Sequence, residues 1–203
     1  MDTIKTTEEL ETLYNSAPSL AATVKVVDHI TPHYRTLIEH APFVAVATMG
    51  SGGMDCSPRG DEGQVVYVLD EKTLALPDRR GNNRIDSLRN ILEDARVALL
   101  FLIPGSGTTL RVNGHAVLTA DAELCQRFAK EGKLPRTVLL ITVEACYAQC
   151  AKAVMRARLW DATAQVPKDQ LPTFGEILSQ ITTDIDGQKF DTEWPDRAQK
   201  TMW

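Results

Sequence analysis

The sequence offers little with which to staple a fold or clamp a metal. Its four cysteines, Cys56, Cys125, Cys146 and Cys150, contain no C-x-x-C pair, which argues against a zinc ribbon and a disulfide framework. They are expected to be reduced and mostly buried, Cys150 included, although Lys152 and Arg156 lie near enough in sequence to leave a reactive thiol there open. His29, His33 and His40 have near-helical spacing, but no cysteine or carboxylate pattern completes a ligand set, and no metal site is expected. Also missing are a G-x-G-x-x-G after a strand, a G-x-x-x-x-G-K-[ST] and a G-x-S-x-G, the glycine signatures of Rossmann, P-loop and α/β-hydrolase chemistry. No apolar run reaches membrane-spanning length, and "MDTIKTTEELETLYNS" lacks the apolar core of a signal peptide, so a cytoplasmic protein is expected. Nor is there an excess of positive charge. A net charge of -5 gives no overall field for nucleic acid or anionic lipid, and any local cationic cluster suits a small anionic ligand better.

What is present is an ordinary globular mixture, 43% hydrophobic and 24% charged over 203 residues, read as one domain. "TTEELETLYNSAP" has a helix start at Thr6 or Thr7 and a stop at Pro18. "TPHYRTLIEHAP" predicts a second helix, capped by Thr31 with Pro32 at its first position. From Phe43 the pattern turns to short β-rich runs, "FVAVATM", "QVVYVLD", "KTLALP", "RVALLFLI", "TLRVNGHAVLT" and "RTVLLITVEA", separated by glycine-rich turns. In "TLRVNGHAVLT", Leu110, Val112, Gly114, Ala116 and Leu118 share one parity and Arg111, Asn113 and His115 the other, as in a strand with one buried face. Helices are expected at "NRIDSLRNILED", with Ile85, Leu88, Ile91 and Leu92 on one stripe, at "DAELCQRFAKEG" from Asp121 to Gly132, across "CYAQCAKAVMRARLWD" at least in part, and at "TFGEILSQI". The tail "FDTEWPDRAQKTMW" reads as polar and irregular. Close-spaced strands with few helical crossings fit a closed or split antiparallel barrel better than a parallel doubly wound sheet.

One stretch stands apart. "PDRRGNNRIDSLR" gathers arginines, asparagines, a glycine and a serine just ahead of a helix start. Free backbone N–H groups, the positive end of the helix dipole and guanidinium forks would all favour a phosphate there. A solvated loop accounts for the composition equally well.

The stretches "SPRGD", "PDRRGNNR", "VALLFLIPG", "TLRVNGHA" and "CAKAVMRARLW" together resemble the pyridoxamine 5'-phosphate oxidase-like FMN-binding split barrels, over about residues 35 to 163. The likeness is closest to the branch of FMN-dependent flavoproteins of that class. It implies a mainly β fold with α elements, a split antiparallel β-barrel flanked by helices, within a single domain in which 1–34 form an N-terminal helical extension and 164–203 a C-terminal one. It also implies a homodimer with FMN at the interface. By the resemblance, Ser57, Pro58 and Arg59 run along the flavin on one strand, and Leu76, Pro77 and Asp78 approach it from a neighbouring one. Arg79, Arg80, Asn82, Asn83, Arg84 and Ser87 form the phosphate and ribityl side, and Thr108 and Thr109 touch the cofactor. Lys152, Arg156 and Trp160 reach the flavin bound mainly by the other subunit. The implied function is that of an FMN-dependent oxidoreductase acting on an unidentified small molecule. The alternatives are a non-catalytic flavin carrier or sensor, or a barrel that holds haem or a deazaflavin. Arg59 or Lys152 would supply positive charge at the pyrimidine end of the ring. The competing readings place Arg59 in an ion pair with Asp61, and Trp160 as a plug in its own barrel. The segment "CAKAVMRARLWDATAQVPKDQ" departs from the tryptophan- and arginine-bearing end of the true oxidases, and "CSPRGD" replaces their strand motif with its distal lysine, so pyridoxamine phosphate is not implied as substrate.

Overall fold

The computed structural model describes residues 1–202. Helices α1 (Thr7–Tyr14), α2 (Leu20–Thr23) and α3 (Pro32–Glu39) precede a hairpin of strands β1 (Phe43–Gly50) and β2 (Gly53–Gly60). Strands β3 (Tyr67–Val68) and β4 (Thr73–Pro77) lead to helix α4 (Asp86–Glu93), strand β5 (Arg96–Leu102) and strand β6 (Thr109–Thr119). Helix α5 (Ala122–Arg127) connects to strand β7 (Val138–Gln149), and helices α6 (Lys152–Ala157), α7 (Phe174–Ile181) and α8 (Gly187–Thr201) complete the chain.

The seven strands form one antiparallel sheet in the order β2-β1-β5-β6-β7-β4-β3. The alternation expected of the strands is realised: Val44, Val46 and Thr48 of β1 point inward, as do Leu110, Val112, Gly114 and Ala116 of β6. These join Ile38, Leu74, Leu76, Leu99, Phe101 and Ile141 in one apolar core. β4 is buried on both faces, because Ala75 packs into a second, smaller cluster with Cys125, Phe128 and Val138. At Gly114 a side chain has no room: a Cβ would lie 1.9 Å from the Thr142 carbonyl oxygen, and the β6–β7 register shifts there. The fold is a split antiparallel barrel with flanking helices. Its curl brings the end of β2 beside the end of β4, although the two strands are far apart in the sheet order.

The strand expected at Ser57–Arg59 is present: "GMDCSPRG" pairs with β1 along its whole length, from Gly50↔Gly53 to Phe43↔Gly60. Its glycines, aspartate and proline have poor β-propensity, but β2 lies at the sheet edge, where Pro58 is tolerated. "QVVYVLD" contributes only Tyr67–Val68 as strand, and β7 starts at Val138 rather than Arg136 and runs on through the "CYAQ" taken as helical. On α4, Leu88 and Ile91 are buried, whereas Ile85 stands at the N-cap and Leu92 is 75% exposed. α5 ends at Arg127, well before Gly132. The polar tail is helical through Pro195, which forfeits a single backbone hydrogen bond. It is held by Phe190 and Trp194 stacked in parallel and by Arg197 over the Phe190 ring at 4.2 Å. Cys125 and Cys146 are buried but Cys56 and Cys150 are exposed, and all four are free thiols. Burial pushes the Cys146 thiol up to about 12, while the Lys152 backbone N–H, helped by the Lys152 and Lys25 charges, draws Cys150 below the usual thiol range. Among the described residues no helix is long and apolar enough to cross a membrane, and no cluster of three or more ligating side chains could hold a metal ion.

Candidate functional site

The donor-rich loop leaves β4 at Pro77, and the Asp78 N–H anchors it to the Thr137 carbonyl at 2.9 Å. Asn82 Oδ1 then accepts from the Arg84 N–H at 3.0 Å, an Asx-type turn. Asn83 and Ile85 adopt left-handed backbone conformations, φ 63° and 55°. Asparagine tolerates this region; a β-branched isoleucine does so only where its surroundings impose it. Ile85 occupies the α4 N-cap without a side-chain cap hydrogen bond.

Between this loop and residues 133–137 lies a cleft of about 750 Å³, within the range of about 300 to 1,000 Å³ that small-molecule sites occupy. Its walls carry five cationic side chains, Arg59, Arg79, Arg80, Lys133 and Arg136, against one carboxylate, Asp78. The cations are not equivalent. Arg79 is committed elsewhere: its Nε donates to Asp61 Oδ2 at 2.8 Å and its Nη1 to the Phe128 carbonyl at 2.7 Å. Asp61, only 3% exposed, also receives the Lys130 ammonium at 2.6 Å. Arg79 therefore braces the loop, and the competing Arg59–Asp61 ion pair does not form, since Asp61 is taken by Arg79 and Lys130. Arg136 reaches across the cleft and donates to Asn83 Oδ1 at 3.0 Å. Arg80 is exposed on the rim, whereas Arg84 is exposed beside the cleft without lining it and is paired with Asp86 at 2.7 Å. Burial raises the Asp78 carboxyl above the usual range, against the downward pull of Arg59 and Arg136.

Two residues that line this cleft each carry a buried polar atom with no hydrogen-bond partner, Arg59 Nε and Thr137 Oγ1. A buried unpartnered donor or hydroxyl is costly and points to a ligand or water that satisfies it.

On β2, Asp55, Ser57 and Arg59 share one face. Ser87 Oγ, 3% exposed in the first turn of α4, lies 2.9 Å from Ser57 Oγ and 2.5 Å from Asp55 Oδ2, and Arg59 Nη2 donates to it at 3.4 Å. Pro58 points outward from β2. Leu76 and Pro77 have buried side chains, so only their backbone can face a ligand. The remaining expected residues gather elsewhere. Thr109 pairs with Gln149 at the far end of β7 from Thr137. Thr108 N–H donates to Ser106 Oγ, and the Trp160 indole N–H donates to the Ser106 carbonyl at 2.6 Å. Lys152 and Arg156 are exposed on α6. None of these five lines the cleft of its own chain, and Trp160 lies on the β5–β6 loop rather than inside the barrel.

The sequence profile described as pyridoxamine 5'-phosphate oxidase matches residues 30–150 of the chain. The chain belongs to this oxidase family. HupZ of group A Streptococcus is similar in fold at a TM-score of 0.50 and 20% identity, over 60% of this chain and 94% of that one. An FMN-binding protein from Syntrophomonas wolfei aligns at a TM-score of 0.45 and 14% identity over 56% and 82% of the two chains. A protein related to general stress protein 26, of the pyridoxinephosphate oxidase family, from Clostridium acetobutylicum aligns at 0.46 and 17% over 58% and 86%. None of the curated proteins matches.

Within this family member, sequence reasoning missed one wall of the cleft. Lys133, Leu134, Pro135, Arg136 and Thr137 line it, yet "KLPRT" reads only as the approach to a strand. Two cations flanking a proline ahead of an apolar run were the available signal. Asp55, Gly81, Ile85 and Leu88 were also absent from the expected set.

Proposed function

We propose that the protein binds FMN noncovalently in the cleft between residues 78–85 and 133–137 and serves as an FMN-dependent oxidoreductase for a small molecule. The observation that carries this reading is a ligand-sized cleft with cationic walls in which Arg59 Nε and Thr137 Oγ1 are buried without partners. A phosphomonoester brings about −1.5 to −2 charge and three acceptor oxygens, and Arg80, Arg84, Arg136, Asn82 and Asn83 are the donors suited to it. Arg59, Thr137 and the backbone of 76–78 would take the ring and its edge. When bound, FMN supplies the hydride and electron chemistry. The chain's part is to orient the ring, to hold positive charge beside it through Arg59 and to restrict water at the cleft. We further propose a homodimer in which Thr108, Thr109, Lys152, Arg156 and Trp160 complete the site of the second copy, because they stand apart from the cleft of their own chain. Pyridoxamine 5'-phosphate is not the expected substrate, since the segment around Lys152–Trp160 departs from the true oxidases; peroxide formation from it at about 1 per second or faster would refute this.

The test is direct. Denaturing the purified or reconstituted protein should release one flavin per chain with the mass of FMN. Recovery of FAD, haem, a deazaflavin or nothing overturns the reading. Steady-state turnover with NAD(P)H and an acceptor separates an oxidoreductase from a non-catalytic flavin carrier or sensor.

A further inference from the structure

Side chains two apart on a strand share a face, so Asp55, Ser57 and Arg59 all look from β2 toward the first turn of α4, where Ser87 meets them. A serine hydroxyl has one hydrogen to donate and two lone pairs to accept with. Ser87 spends its hydrogen on Asp55 Oδ2 at 2.5 Å and accepts from Arg59 Nη2 at 3.4 Å. Ser57, 2.9 Å away, must then donate to the remaining lone pair. The hydroxyl is saturated and its residue is 3% exposed, which leaves it nothing to offer a ligand.

Arg59 is in the opposite condition. Apart from Ser87, its guanidinium has one long contact, Nη1 to the Pro58 carbonyl at 3.5 Å, and its Nε is buried and unpartnered at the cleft. Asp78 on the cleft wall feels its charge, and Asp55 approaches it through the shared Ser87 hydroxyl. An arginine carries about 2 kcal/mol of rotamer entropy, so holding one end of the fork while the rest stays unspent preorganises it for whatever enters.

We infer that Ser87, backed by Asp55 and Ser57, is a positioning residue that aims the Arg59 guanidinium into the cleft and so sets the charge next to the bound flavin, without itself touching the ligand. This rests on the flavin reading above and replaces the expectation that Ser87 meets the phosphate or ribityl chain. A purely structural Ser87, tying α4 to β2, would affect stability and nothing else.

The experiment uses the FMN-loaded protein and reads the two-electron midpoint potential by dye equilibration, with thermal melting alongside. Ser87→Ala should weaken binding of reduced flavin about tenfold more than oxidised flavin, which lowers the potential by about 30 mV. Ser87→Thr should restore the wild-type value, and adding Ser87→Ala to Arg59→Ala should lower the potential no further than Arg59→Ala alone. Ser87→Cys, whose thiol is a weak hydrogen-bonding group and changes no formal charge, should shift it in the same direction and stands in if Ser87→Ala does not fold. A wild-type potential in Ser87→Ala, or additive shifts in the double variant, overturns the positioning role and leaves the flavin reading intact. A wild-type protein that takes up no FMN overturns both.

Discussion

The chain has two arginine-bearing segments of similar charge, 79–84 and 152–158, and they are situated differently. The first is braced from three directions: Asp78 to Thr137, Arg79 to Asp61, and Asn83 to Arg136. The second sits on α6 and its C-cap, where Val154 is buried, Lys152, Met155 and Arg156 project into solvent, and Arg158 is tied only to its near neighbours Asp161 and Thr163. Composition does not separate them; bracing does. A cation whose loop is held can meet a ligand at little further entropic cost, whereas one on a free surface needs a second surface before it acts. The first segment lines the cleft, and the second, in the dimer proposed above, would complete another chain's.

The strongest way to break this contrast is to remove the brace. Asp61→Ala removes the carboxylate that Arg79 shares with Lys130, whose ammonium keeps Glu62 at 3.6 Å. Because Asp61 is 3% exposed and Arg79 14%, the loss should be about 3 kcal/mol of folding stability, read as a lowered urea midpoint. An unchanged midpoint would mean the brace is not holding the loop.

The next test separates donors within the loop. Arg80→Ala and Arg136→Ala should each weaken FMN about ten- to a hundredfold, the value of a charge-assisted hydrogen bond, with a far smaller effect on riboflavin. Arg79→Ala should cost stability instead. Isothermal titration with both ligands distinguishes the cases, and equal losses for riboflavin and FMN would place these arginines away from the phosphate.

The α6 segment is tested by mixing. If each site is shared, a hybrid dimer of an Arg80→Ala chain with a Trp160→Ala chain has one site with both defects and one with neither, so it should regain about half of normal FMN binding. A hybrid no better than its parents, given that each change impairs binding alone, rules out sharing.

The smallest effect concerns a contact outside both segments. The Lys72 ammonium, with help from the His29 ring, holds the Asp28 carboxyl at about 2, below its ordinary 3.8. A carboxyl depressed on folding stabilises above its unfolded value and loses that contribution as pH falls through the folded one. The stability difference between wild type and Lys72→Met should therefore be present near neutrality and vanish as pH drops from about 4 to about 2. Denaturant midpoints measured against pH check the sign; a difference that grows in acid would contradict it.

Much of this was legible. Thr31 with Pro32, and Asp121, mark helix starts where the structure has them, and the helix expected at "TFGEILSQI" forms, with Thr173 and Glu176 making a capping box that the structure adds. The parity of β6 and the position of the loop at 77–85 were also readable. β2 was not readable from propensity, though the family resemblance put Ser57–Arg59 on a strand; its ladder with β1 comes from a tight turn at Ser51–Gly52, closed by the Gly50↔Gly53 pair with Gly53 at φ 106°, and from neighbours that supply the partner groups. The wall formed by residues 133–137 was hidden because nothing in "KLPRT" says what it will face.

The amino-acid sequence by itself determined the alternating strands, the caps and the concentration of donors ahead of α4, because each depends on residues a few positions apart. The tertiary structure alone decided which donors are free. Arg79 and Asp61 are 18 residues apart, and Arg136 and Asn83 are 53 apart; only the curl of the sheet, driven by burying Val44, Leu74, Phe101 and Ile141 together, brings them within bonding distance. That curl spends one arginine on the frame and leaves Arg59 aimed at the cleft.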